Sequence, residues 1–157
     1  GHCIAVDPWF LVASAPEEAR LIRTARAVND GKPEWVLHKV REAVQRTLCD
    51  RPGTSVAELS IACYGLAFKA DIDDLRESPA LDVAPQIAIT HPGAVFVVEP
   101  HVTSLPAGFG RGRLVDIETA SQADLHVMLV KHQDFRRMAI PAAEVLDFAG
   151  VWRGVGN

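Results

Sequence analysis

Apolar positions near the amino end recur at helical spacing. Asp7-Pro8 opens a short apolar segment, Pro8-Trp9-Phe10-Leu11-Val12, with proline at the first helical position. A second start stands at Pro16-Glu17-Glu18, whose acids suit the positive end of a helix dipole. Leu21, Ile22, Ala25 and Val28 form a stripe through Asn29. Gly31 and Pro33 interrupt it, and Val36, Leu37, Val40, Val44 and Leu48 resume it. This pattern predicts one long helix kinked at Pro33, or two helices meeting there. Residues 49–55 (Cys-Asp-Arg-Pro-Gly-Thr-Ser) are turn chemistry and mark a boundary, dividing the chain into 1–50 and 51–157.

Beyond the boundary the pattern alternates. Leu59 to Tyr64 reads as a buried strand ending at Gly65, followed by a loop of about a dozen residues. Ser78-Pro79 caps a helix running to about Thr90, with Pro85 an awkward interior residue, and His91-Pro92-Gly93 ends it. Ala94 to Val98 is a second strand, and the proline- and glycine-rich 100–112 a loop. A short strand at Leu114 to Ile117 and a short helix at Glu118 to Gln122 follow. Next come an apolar strand at Leu125 to Val130, a helical turn at Asp134 to Met138 and a last strand at Val145 to Phe148. Such alternation predicts an α/β fold, with a long helical segment leading into a parallel sheet covered on both faces.

Composition narrows the classes. The 157 residues are 48% hydrophobic and 23% charged, ordinary for a chain that buries a core. A net charge of −4 argues against nucleic acid or an anionic membrane as partner. No apolar run approaches the roughly 20 residues of a membrane span. Three cysteines are too few for a disulfide scaffold and suit a reducing cytoplasm. The chain opens Gly1-His2-Cys3 without methionine, and reads as a piece of something longer.

Four constellations carry chemistry or compete with it. Cys3 lies four residues ahead of Asp7, which can set a nucleophilic thiol beside a proton-handling carboxylate; a plain buried cysteine is the alternative. His2 and Asp7 lack further ligands at metal spacing, so no metal is expected. The loop from Gly65 to Pro79 carries Lys69 and Arg76 at the end of a strand, where open sheets bind ligands; a solvated loop held by Asp–Arg pairs is the alternative. It is no Gly-x-Gly-x-x-Gly turn, because Ala67 and Ala70 replace the later glycines and the helix starts too late. Trp152-Arg153, after the last strand, can stack on a base and meet a phosphate, or simply pack the chain end. The helical segment 17–49 either covers the sheet or pairs with another subunit. Arg20, Arg23 and Arg26 form its wet face.

Taken together, Gly-His-Cys-Ile-Ala-Val-Asp-Pro-Trp-Phe (1–10), Leu-Ile-Arg-Thr-Ala-Arg-Ala-Val-Asn-Asp (21–30), Gly-Leu-Ala-Phe-Lys (65–69), Ile-Asp-Asp-Leu-Arg-Glu-Ser-Pro-Ala (72–80), Val-Val-Glu-Pro (97–100) and Gly-Val-Trp-Arg (150–153) resemble the UDP-glucose/GDP-mannose dehydrogenase family over nearly the whole chain. The resemblance implies a central dimerisation helix followed by a Rossmann-like UDP-binding domain, and a homodimer through residues 7–49. It also implies that NAD is bound by an N-terminal domain these residues lack, so that they alone are inactive. In such an enzyme the sugar's C6 alcohol is oxidised twice with two NAD. Cys3 adds to the aldehyde as a thiohemiacetal, and water releases the carboxylate from the thioester. Asp7 matches the family's aspartate, which assists proton transfer or places water. Phe68 and Lys69 match residues lining the UDP pocket, and Arg153 an arginine that contacts the nucleotide. Asp73, Arg76 and Ser78 are expected to shape the loop, while Cys49 and Cys63 have no counterpart role. A non-catalytic dimerisation module remains as a second reading.

Overall fold

In the computed structural model, residues 3–152 are described. Five strands run parallel: β1 (Ile61–Tyr64), β2 (Val95–Val98), β3 (Arg113–Leu114), β4 (Leu125–Met128) and β5 (Glu144–Asp147). Their order is β3-β2-β1-β4-β5. Ile61 through Tyr64 pair with Val95 through Val98 on one side and with Leu125 through Met128 on the other. The chain therefore leaves β1 for one side of the sheet and later returns to the other. The crevice at such a switch point, beyond the strands' carboxyl ends, is where open α/β sheets place ligands.

β1 and β4 are buried along their whole length because helices cover both faces. On one face Ile61, Cys63, Val95, Val97, Leu125 and Val127 pack under α3 (Lys32–Asp50) and α4 (Ala80–Thr90). On the other, Ala62, Tyr64, Val98 and Met128 meet Ala120 of α5 (Ile117–Ala120), Phe135 of α6 (Gln133–Arg136) and Trp152. A polar pair crosses this second core: the Tyr64 hydroxyl hydrogen-bonds His126 Nδ1 at 2.9 Å. Burial pushes the Tyr64 hydroxyl well above its usual range and the His126 imidazole down. Gly65 ends β1 at φ +89°, where a Cβ would stand 2.5 Å from that of Val130, so only glycine fits this close approach of two strand ends.

The α/β architecture is as the alternation implied, and the helical lead differs in detail. α1 spans Cys3–Ser14, starting four residues before Asp7, so Pro8 is interior rather than at the first position. A proline this near a helix start leaves a single carbonyl without its donor, and the apolar run carries the helix past it. Residues 16–19 form a turn, with Ala19 bonding back to Ala15, and α2 begins only at Arg20. α1 packs against α2 (Arg20–Asp30). The junction near Pro33 is two helices meeting in one bent rod. Gly31 keeps helical dihedrals, donates to Ala27 and accepts from Trp35, and Pro33 sits in the first turn of α3, where it needs no donor. α3 runs antiparallel to the strands. Trp35 at its start meets Phe148 just past β5, with ring centroids 5.6 Å apart. Its far end pairs Arg46 with Glu144 and Arg51 with Asp124, at the strands' beginnings. The rod and the α1–α2 pair therefore join the sheet at the edge where the strands end.

Candidate functional site

Loop 65–79 fills the crevice edge beside the switch point. Phe68 is half-buried, its amide donating to the Asp74 carbonyl at 2.8 Å, and Lys69 is exposed. Among the described residues Lys69 has no ion-pair partner, so its ammonium is available to an anion. Arg76 is committed instead to a bidentate grip on Asp74, at 2.9 and 2.8 Å. It shapes the loop, as the sequence led us to expect, and so does Ser78. The Ser78 hydroxyl donates to the Ala67 carbonyl and accepts from the Ala80 amide.

A buried polar cluster beneath this loop was not singled out from the sequence. Glu99 follows β2, and His132 lies just before α6; both side chains are fully buried. Glu99 Oε2 accepts from the Leu66 amide at 2.6 Å and the Ala67 amide at 3.0 Å, and it lies 3.1 Å from His132 Nε2. Its Oε1 accepts from the His101 amide at 3.1 Å. Burial opposes ionisation of Glu99, but the bonds from His132 and the backbone amides outweigh it and hold the carboxyl below the usual range. His132 Nδ1 accepts the Asp71 amide at 2.9 Å, which leaves Nε2 as the donor to Glu99. Asp71 sits in the left-handed region at φ 61°, and its carboxylate accepts from the Gln133 amide at 2.8 Å. Possible ligand atoms of Asp71, His101 and His132 lie within 4.8 Å of one another. With the Nδ1 lone pair already used by Asp71, the trio is a hydrogen-bonded junction rather than a vacant set of metal ligands. The sequence signal was modest: a carboxylate directly after one apolar strand and a histidine a few residues past another, where a side chain must be either buried and paired or at a site.

Two other predicted residues belong to a different element. Cys3 and Asp7 both lie on α1, one helical turn apart and exposed, so the i, i+4 spacing places them on one face. Arg153 lies outside the described residues. The loop leading to it is pinned by Asp147, whose carboxylate accepts from the amides of Ala149, Gly150 and Trp152.

Two features narrow the ligand. A cleft of about 500 Å³ beyond β2 and β3 is lined by Glu99, Asp116, Glu118 and Asp134, a field that repels phosphate. The start of α4 gives no dinucleotide cradle either. Its first amides are taken by Ser78 and Pro79, and it begins far past the end of β1. The described residues therefore do not fit NAD. Lys69 is an exposed cation at this edge.

Comparison with known proteins agrees with this geometry. Residues 62–153 match the model for the UDP-glucose/GDP-mannose dehydrogenase family, UDP binding domain. The UDP-N-acetyl-D-mannosamine dehydrogenase of Salmonella typhi is 51% identical over 98% of the chain and 37% of the relative. An NDP-N-acetyl-D-galactosaminuronic acid dehydrogenase of Ralstonia nicotianae is 49% identical over 97% of the chain and 35% of the relative. The chain thus spans a little over a third of the length of the curated relatives it matches. Among solved structures, the UDP-N-acetyl-mannosamine dehydrogenase of S. aureus superposes with a TM-score of 0.66 at 31% identity, over 88% of this chain and 30% of that one.

Proposed function

Because the chain belongs to the UDP-glucose/GDP-mannose dehydrogenase family, we propose that it is the UDP-sugar-binding part of an NAD-dependent UDP-N-acetyl-D-mannosamine dehydrogenase, an enzyme that oxidises the sugar C6 alcohol twice to the uronic acid. The observation that carries this reading is Lys69. It is an exposed cation beside the half-buried Phe68, on the loop that closes the switch point of a parallel sheet. A diphosphate suits that ammonium as a point charge, and Phe68 gives the pocket an apolar wall. Arg153, which lies outside the described residues, adds planar recognition of the nucleotide.

Cys3 is the nucleophile, adding to the C6 carbonyl carbon, and Asp7 on the same helical face handles the proton or places the hydrolytic water. Among the described residues the start of α4 offers no dinucleotide cradle, and the part proposed for this chain in the chemistry is the thiol, the carboxylate and the UDP pocket. The 157 residues alone are therefore expected to reduce no NAD with any UDP-sugar. Two exposed free thiols, Cys3 and Cys49, agree with a cytoplasmic location. Exposed Leu21 and Val28 on α2, with Phe10 on α1, support a homodimer through residues 7–49. The Ralstonia relative supports a second substrate, the N-acetylgalactosamine sugar, on the same pocket.

Titration calorimetry of the chain with UDP tests the pocket. Heat is expected for the wild type and is expected to fall sharply in Lys69→Ala. Silence at millimolar UDP, or equal binding by the variant, sinks the assignment.

A further inference from the structure

We propose that Glu99 and His132 are positioning residues of the nucleotide site: a buried carboxylate–imidazole latch that clamps residues 66–71 at both ends and so sets where Phe68 and Lys69 meet a nucleoside diphosphate. The inference rests on the UDP pocket proposed above and adds the device that holds it. Glu99 grips one foot of the arch through the Leu66 and Ala67 amides, and His132 grips the other through the Asp71 amide. Between the feet stand only Phe68, Lys69 and Ala70. The 3.1 Å bond between the two side chains joins the clamps. Each comes from a strand that flanks β1, Glu99 after β2 and His132 after β4, so the loop is referenced to both sides of the switch point at once.

A buried charge is a poor means of stabilising a core, since well-packed apolar residues generally do as well or better. This carboxylate is nonetheless fully satisfied by three backbone amides and one imidazole, and two of the three amides belong to the arch. Asp71 is held at φ 61°, a conformation disfavoured for a side-chain-bearing residue, by His132 on its amide and Gln133 on its carboxylate. The strain is local to the arch. Lys69 itself is left exposed, so the rigidity lies in the backbone beneath the cation, as a preorganised anion site requires.

The test is UDP calorimetry and amide hydrogen exchange on the 157-residue chain, comparing wild type with Glu99→Gln, His132→Gln and His132→Asn. Glu99→Gln places an amide N–H against a backbone donor, and UDP affinity is expected to fall about tenfold or more. Exchange at Leu66, Ala67 and Asp71 is expected to quicken while β1 and β4 stay protected. His132→Gln can keep the bond to Glu99 and lose Asp71; His132→Asn can do the reverse. Each is expected to free a different foot of the arch, a split that a merely structural role does not produce. The histidine pair carries the test if Glu99→Gln does not fold. Wild-type affinity and exchange in these variants overturns the latch and leaves the pocket standing. No binding by the wild type overturns the pocket, and the latch's role with it.

Discussion

The sheet and the α1–α2 pair follow opposite rules. β1 hides every side chain, and its Tyr64 hydroxyl bonds His126 of the neighbouring β4. α2 buries no residue at all, although one side of it is as apolar as a core helix; Leu21 is 80% exposed and Val28 73%. Phe10 of α1 adds a further 67% exposed ring. The sheet satisfies its hydrophobic pattern within the chain, and the pair leaves its pattern unsatisfied. The same 3.6-residue periodicity thus reports core in α3 and an outward face in α2, and the difference lies in whether a sheet lies beneath the helix.

The sharpest break of this contrast is Gly65→Val. It forces a β-branched residue to positive φ and against Val130, with an expected loss of about 4 kcal/mol in urea unfolding. Next, Leu21→Glu combined with Val28→Glu should halve the mass seen by light scattering while the sheet's thermal midpoint holds. A wild-type chain that is already monomeric counts against the dimer. A subtler effect concerns acid. In the folded protein His132 and the backbone amides hold the Glu99 carboxyl below the ordinary glutamate value of 4.5, so its contribution is complete above that value and is lost as pH falls through the folded pKa. Urea midpoints should therefore drop on acidification below about pH 4.5, and Glu99→Gln should flatten that slope. Smallest is Arg76→Ala. Its ion pair with Asp74 is exposed and local, so UDP heat and thermal midpoint should both stay within error.

Most of the architecture was legible because periodicity and turn chemistry agree. Residues 100–112 contain no helix or strand, as expected, while at the head of α4 the N-cap is Pro79 rather than Ser78, whose hydroxyl accepts from the Ala80 amide one residue further out. The start of α1 was misread because Pro8 looks like a first-turn residue, and nothing local indicates that the helix extends back past it. In the candidate site, Phe68 and Lys69 were singled out through their motif and strand-end position, and their part in binding is proposed. Glu99 was in view only as part of Val-Val-Glu-Pro, and His132 not at all. Their roles depend on amides more than 30 residues away, which come close only once β2 and β4 flank β1. A hydrogen bond between distant segments leaves no periodic trace in a sequence.

The unbroken bonding across Gly31 makes α2 a lever arm. Eleven residues at 1.5 Å each give it a length of about 16 Å. A swing of about 10° at the joint therefore carries its far end through about 3 Å, and α1, packed along it, moves with it. The latch fixes the arch that bears Lys69 to the sheet, whereas Cys3 rides on the arm. Addition of a thiol to a carbonyl is sensitive to a misplacement of about 1 Å, so under the proposed roles the angle at this one glycine sets the distance between the Cys3 thiol and the loop that bears Lys69.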